Sequence, residues 1–331
     1  MQEYLLEILC CPSCHGDLTW SITETRYDHI EEGISECGNC GTTYSIHEGI
    51  GVFLTIDDER EDLWQEVESN LMRSIREDPD LCKGLMESPI ENLNPADQFF
   101  RAMVLEEQGD FAGAARAEET AQHGLYTQEY LDCWKDQVDF LVNQIKGVRE
   151  PIIDIASGRC YLVEVLAHRV AAPVVASDFS LQVMRRNRRW IEFKGFYHRV
   201  SLLVFDARHT PFKGRSIRTM TSNLGLPNIR EAGKLHGELR RVVSERFLGI
   251  SHFYPENDAN GELIERYGLT DILYEERLIG GLSHVGFRVD LLNRCRGKAK
   301  PTPVGEVVGG AQIDGLPVTE VDLDWCVLQA S

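Results

Sequence analysis

Pro151-Ile152-Ile153-Asp154-Ile155-Ala156-Ser157-Gly158-Arg159-Cys160 decides the fold. An apolar run of strand length stops at an acid and a turn of small residues, and helical spacing follows over residues 161–170. The alternation then repeats, with a strand over 174–177, a helix over 181–193 and a strand over 202–205. Strands alternating with helices predict a parallel, doubly wound α/β sheet whose ligand lies at the carboxyl ends of its strands. A small-residue loop is weak evidence alone. Here Asp178 closes the second strand 24 residues after Asp154, and Asp206-Ala207 closes the third. An acid after strand two can accept both hydroxyls of a ribose, and one after strand three stands where an adenine edge would lie.

Upstream, Cys11-Pro12-Ser13-Cys14 and Cys37-Gly38-Asn39-Cys40 are two CxxC pairs with 22 residues between them. This spacing reads as a four-thiolate zinc ribbon. Two thiolates on one tight turn share an ion, and a second such turn completes a tetrahedron with Zn–S distances of about 2.3 Å. Four thiolates leave no open coordination position, so the ion is structural and holds together a segment too small for its own core. Cys10 falls outside the register. His47 is not needed as a ligand and is expected at the surface.

The chain has 331 residues, 43% hydrophobic and 26% charged, an ordinary globular composition. No apolar run reaches bilayer length, and the acidic start Met1 to Glu7 lacks a secretory pattern, so a soluble, cytoplasmic protein is expected. The net charge of −19 is uneven. Residues 1–56 hold one basic and nine acidic side chains, residues 57–150 nine and 23, and residues 151–331 24 and 21. Two basic clusters in the last part, Arg185, Arg186, Arg188 and Arg189, then Arg294, Arg296, Lys298 and Lys300, keep nucleic acid open as a partner, with a solvated face as the alternative.

Between ribbon and sheet, the charged run 57–62 reads as a linker, followed by Leu63, Val67, Leu71 and Ile75 at helical spacing. Pro79, Pro89 and Pro95 break the stretch into short helices, and residues 99–122 read as a helical hairpin turning at Gly109-Asp110. Val138, Phe140, Leu141 and Ile145 extend an amphipathic helix begun near Tyr126. The domains expected are a ribbon at 1–56, an acidic helical region at 57–125 and the α/β domain at 126–331.

Two resemblances rest on these motifs. Leu5-Leu6-Glu7-Ile8-Leu9, the CPxC knuckle, the second CxxC and Tyr44-Ser45-Ile46-His47-Glu48-Gly49-Ile50 resemble the small zinc-ribbon proteins that bind and activate nucleic-acid and protein methyltransferases. Where that pattern closes on proline, this chain has Gly51. Residues 126–331 resemble class I S-adenosylmethionine-dependent methyltransferases of the type 11 branch. Their first motif, D-x-G-x-G-x-G, is matched at Asp154 to Cys160, and D-x-x-x-L-P-F-x-x-x-S-F-D at Asp206 to Arg218. That likeness implies a Rossmann-like sheet ending in an antiparallel hairpin near residues 287–294 and 321–328. It also implies a cofactor site of Asp154, Ala156, Ser157, Gly158, Asp178, Phe179, Asp206, Ala207 and Asn223.

Methyl transfer from a sulfonium is an in-line displacement that needs positioning more than a fixed triad. Asn223 is a candidate to orient the acceptor, with a turn role as the alternative, and His209, His252 and Tyr254 are candidates to accept its proton. The expected function is methyl transfer by an enzyme carrying its own zinc-ribbon activator, which contacts the catalytic domain in the same chain. RNA is the favoured acceptor, with a small molecule or protein open. Ala156 and Cys160 stand where the motif has glycines, and Arg218 where it has an acid. These departures keep a non-catalytic scaffold open. An NAD-binding domain is disfavoured, because the Asp206-Ala207 and Thr210-Pro211-Phe212 text has no role in one.

Overall fold

A computed structural model describes residues 1–55 and 63–331, with side chains of the first helix from residue 70. The linker expected at 57–62, and Leu63 and Val67, lie outside what is described in side-chain detail. The ribbon contributes β1 (Leu18–Arg26), β2 (His29–Cys37), β3 (Thr43–His47) and β4 (Ile50–Phe53). Then come α1 (Leu63–Glu77), α2 (Pro79–Glu87), α3 (Pro95–Glu107), α4 (Phe111–Leu125) and α5 (Gln128–Ile145). The α/β part runs β5 (Ile152–Asp154), α6 (Tyr161–Arg169), β6 (Val174–Asp178), α7 (Leu181–Phe193), β7 (Val200–Phe205), β8 (Ile217–Asn223), α8 (Ala232–Val242) and β9 (Val243–Phe253). It closes with α9 (Gly261–Arg266), α10 (Thr270–Leu273), α11 (Glu275–His284), β10 (Val289–Ala299) and β11 (Val321–Ala330).

Helix starts follow local chemistry. Asp78, Asn94, Asp110, Thr127 and Ser180 each cap a helix by accepting backbone N–H groups, and Pro79 and Pro95 take first-turn positions where no donor is needed.

The strands form one sheet in the order β1-β2-β3-β4-β7-β6-β5-β8-β9-β11-β10. From β7 to β9 all pairings are parallel, and β11 enters antiparallel between β9 and β10. The doubly wound expectation and the terminal hairpin are both present. The ribbon is not a separate sheet: β4 lies parallel to β7, with Ile50 opposite Leu202 and Phe53 opposite Phe205. Its core is continuous with the main one, since Leu5, Leu9, Ile46 and Phe53 pack in one buried cluster with Ile153, Val175, Leu203 and Phe205.

This junction explains two glycines. Gly49 has φ +71°, and a Cβ there would overlap Tyr197 Oη and lie 2.5 Å from Arg188 Nη1. Gly51, in place of the pattern's proline, has Leu203 Cδ2 and Met1 Sδ about where a Cβ would press, at 2.9 and 3.0 Å. Gly49→Ala is expected to cost about 2–4 kcal/mol, from left-handed strain plus overpacking. Chemical denaturation checks it; a loss no larger than that of a surface substitution would mean the ribbon does not seat on β7 as described.

Candidate functional site

The ribbon's four thiols converge. Cys11, Cys14, Cys37 and Cys40 place their sulfurs within 4.8 Å of one another, with Cys11 to Cys40 at 3.6 Å and Cys14 to Cys37 at 3.4 Å. A zinc tetrahedron has edges of about 3.8 Å, so the donor set fits the ion. Backbone turns set the knuckles: His15 N–H donates to Cys11 O, and Gly41, with φ +71°, donates to Cys37 O. Sequence reading missed Gly16, where a Cβ would come within 2.8 Å of Asn39 Cβ and 3.1 Å of Cys37 Sγ. Its only signal was a glycine two residues after the first knuckle. Cys10 is buried apart from the cluster, and His47 is exposed and bonded to Glu32.

The second site lies on the carboxyl ends of β5 to β8. The loop after β5 folds tightly, with Ala156, Gly158 and Cys160 at φ +50°, +47° and +62°. Two of these three left-handed positions are not glycine, which costs about 1–2 kcal/mol each. Ser157 N–H donates to Ser177 O, and Ser157 Oγ bridges Asp154 O and Ser177 N–H. Asp178 accepts Gly158 N–H at 3.0 Å on one oxygen and Ser180 N–H at 3.0 Å on the other. Asn187 Nδ2 donates to Gly158 O, and Cys160 is buried as a small apolar side chain. Gly225 completes the packing, since a Cβ there would lie 2.7 Å from that of Ala156.

Asp154 forms the floor. One carboxyl oxygen accepts Thr221 Oγ1–H at 2.7 Å, and the other is buried without a partner. Burial, reinforced by nearby Asp178 and opposed by the neighbouring Ser157 hydroxyl and the hydrogen bond from Thr221, pushes its pKa up to about 7. A folded value above the unfolded one favours the folded state at low pH, and that contribution is lost as pH rises through 7. Three units correspond to about 4 kcal/mol. Melting between pH 4 and 8 should therefore show a stability decline that Asp154→Asn removes; an unchanged slope in the variant would place the titration elsewhere.

Asp206, at the end of β7, is gripped by Arg208, whose Nε lies 3.0 Å from Oδ1 and Nη2 2.6 Å from Oδ2. This pairing holds the carboxyl below its ordinary range against the opposing effect of burial. Phe179 and Ala207 line the same edge, half-buried and buried. His209 follows on this turn, its N–H bonded to Asp206 O, in electrostatic reach of ribbon His15.

On the other flank, Asn223 ends β8 and its Oδ1 accepts the indole N–H of Trp134 at 3.0 Å. Trp134 comes from α5, one turn beyond Tyr130. Tyr130 packs edge-on against Trp325 and His252, and His252 against Tyr254. Burial pushes His252 down to about 4 and Tyr254 well above its usual phenol range. At neutral pH His252 is thus an uncharged imidazole and Tyr254 a donor, and neither is a strong base.

The arginines read as possible nucleic-acid patches pair with acids of the same chain, Arg186 in the interior and Arg185, Arg294 and Arg296 at the surface. Arg186 meets Glu106 at 2.5 and 2.7 Å, Arg189 meets Glu107 at 2.8 Å, and Arg188 meets ribbon Glu31 at 3.2 Å. Arg294 pairs with Glu275 and Arg296 with Asp324. Arg218, the departure from the S-F-D pattern, pairs with Glu150 and Glu245.

Comparison with known families agrees with this geometry. Residues 2–49 match the Trm112p-like protein family, and residues 152–246 match the methyltransferase domain family. The chain joins a Trm112p-like zinc ribbon to a methyltransferase domain. No curated protein matches it. Among solved structures it is similar to the YcgJ protein of Bacillus subtilis, at 13% identity and TM-score 0.47, covering 59% of this chain and 97% of that one. It is also similar to a SAM-dependent methyltransferase from Aquifex aeolicus, at 14% identity and TM-score 0.40, covering 58% and 88%. The methyl donor implied for such a domain is S-adenosylmethionine. The strand-end carboxylates of the methyltransferase domain, its loop N–H groups and the unpartnered oxygen of Asp154 fit that cationic nucleoside. No helix among the described residues is long and apolar enough to cross a membrane.

Proposed function

We propose that the protein is an S-adenosylmethionine-dependent methyltransferase with its ribbon built in as a structural subunit, acting on a small molecule or a protein side chain in preference to RNA. The observation that carries the reading is the row Asp178, Asp154 and Asn223 on adjacent strand ends around one tight loop. When bound, S-adenosylmethionine supplies an electrophilic methyl group. Asp178 closes β6 where ribose hydroxyls would meet a carboxylate, and Asp154 has an unpartnered oxygen for a cationic donor. Asn223, fixed by Trp134, presents its amide to the acceptor, and the aromatic wall of Trp134, Tyr130 and Tyr254 excludes water.

RNA is supported by the ribbon's likeness to methyltransferase activators. Against it stand the internal pairing of the arginines and the acid Asp314 beside the aromatic wall, bonded to Tyr126 at 2.9 Å. Labelled methyl transfer from S-adenosylmethionine into RNA, protein and small-molecule fractions tests the choice. Label outside RNA is expected; label in RNA alone would reverse it. The scaffold reading draws on Arg208, which occupies the carboxylate expected to meet adenine. Failure to bind S-adenosylhomocysteine would favour that reading.

A further inference from the structure

Arg159 lies inside the cofactor loop, between Gly158 and Cys160, and its side chain runs away from the sheet into the helical middle segment. Its Nη2 meets Glu106 of α3 at 2.8 Å and Glu118 of α4 at 3.0 Å, and its Nε meets Glu118 at 3.0 Å. Tyr161 Oη also donates to Glu118, and Arg186 of α7 closes the set on Glu106. All four charged side chains are at least nine-tenths buried. Two cations and two anions balance, so the network is neutral as a whole, and each partner is needed to offset the burial of the others.

The middle helices are anchored a second time. Asp97 of α3 accepts the N–H groups of Glu306, Val307 and Val308, each at 2.9 Å, from the long connection between β10 and β11. The pair α3–α4 is therefore held to the α/β domain on two sides. Left-handed backbone at Ala156 and Cys160 persists only where surrounding structure over-determines it. The residue between Gly158 and Cys160 is the one gripped by the helices.

We infer that Glu106 and Glu118 are positioning residues for the cofactor: through Arg159 they hold loop 156–160 in its binding geometry, making α3–α4 part of the donor site. The inference rests on the methyltransferase reading for its ligand but not for its geometry. Two readouts on the full-length, zinc-loaded protein keep these apart. One is the dissociation constant for S-adenosylhomocysteine by calorimetry, and the other is amide hydrogen exchange without ligand. Glu118→Gln should weaken S-adenosylhomocysteine about tenfold or more, the loss of a charge-assisted hydrogen bond. Exchange should quicken across residues 156–163 and stay unchanged across 321–330. Tyr161→Phe alters no charge and should move both readouts the same way by a smaller amount, which covers the case in which Glu118→Gln fails to fold. Folded variants with wild-type affinity, or with exchange at 156–163 as slow as wild type, would overturn the inference. If the wild-type protein binds no S-adenosylhomocysteine, the methyltransferase reading falls, and exchange alone decides whether the helices set the loop.

Discussion

Stripping the zinc, or replacing Cys37 with serine, is expected to unfold the ribbon and to make the methyltransferase domain aggregate. Structural zinc in a small ribbon is worth about 10–16 kcal/mol of apparent binding energy, most of it folding energy. Here the consequence extends past residue 55, because β4 is a strand of the main sheet. Its loss would uncover the edge of β7, whose six residues are all buried, and open the cluster shared by Phe53, Leu203 and Phe205. An exposed, largely apolar edge strand is a template for pairing with other chains. Light scattering and circular dichroism during chelator titration, with zinc content measured in parallel, read the effect. A protein that loses its zinc yet stays monodisperse, with an unchanged main melting transition, would mean the ribbon is appended to the sheet and does not complete it.

This outcome also marks where sequence reading stopped. The cysteine spacing and the strand–helix alternation are local patterns, so the ribbon, the loop after β5 and the acids at Asp178 and Asp206 were legible. The seating of β4 on β7 was not, because a parallel pairing across some 150 residues leaves no periodicity in either segment. Its trace is the apolar stretch Ile50 to Phe53, buried on both faces, where a ribbon's last strand would ordinarily keep one polar face. The partners of the α7 arginines were not legible for a related reason. Their charge was visible but not the acids opposite, which come from α3 and from the ribbon. The charge asymmetry held the hint: an acidic half and an arginine-rich helix in one chain can neutralise each other. The departures from glycine at Ala156 and Cys160 were legible; the grip on Arg159 was not, since nothing in the loop announces partners in the middle segment.

Asp178→Ala should abolish measurable binding of S-adenosylhomocysteine while leaving the ribbon and sheet folded. The carboxylate does two things at once. It accepts Gly158 N–H and so shapes the loop, and it closes β6 at the strand end where a ribose is proposed to donate its hydroxyls. Hydrogen bonds to a charged acceptor contribute about 1.5–3 kcal/mol each, so losing two weakens binding about 100-fold or more. The fold should survive, because Asp178 is half-buried at a strand end, outside the buried clusters that hold the sheet together. Asp178→Asn keeps the volume but only one accepting oxygen for the N–H groups of Gly158 and Ser180, and should bind more weakly than wild type but better than alanine. Calorimetry beside thermal melts distinguishes these outcomes. Full affinity in the alanine variant would remove the ribose from Asp178. It would leave Asp206, already held by Arg208, as the remaining strand-end acid at the nucleoside's edge, and an acid so engaged points back to a domain that keeps the fold without the cofactor.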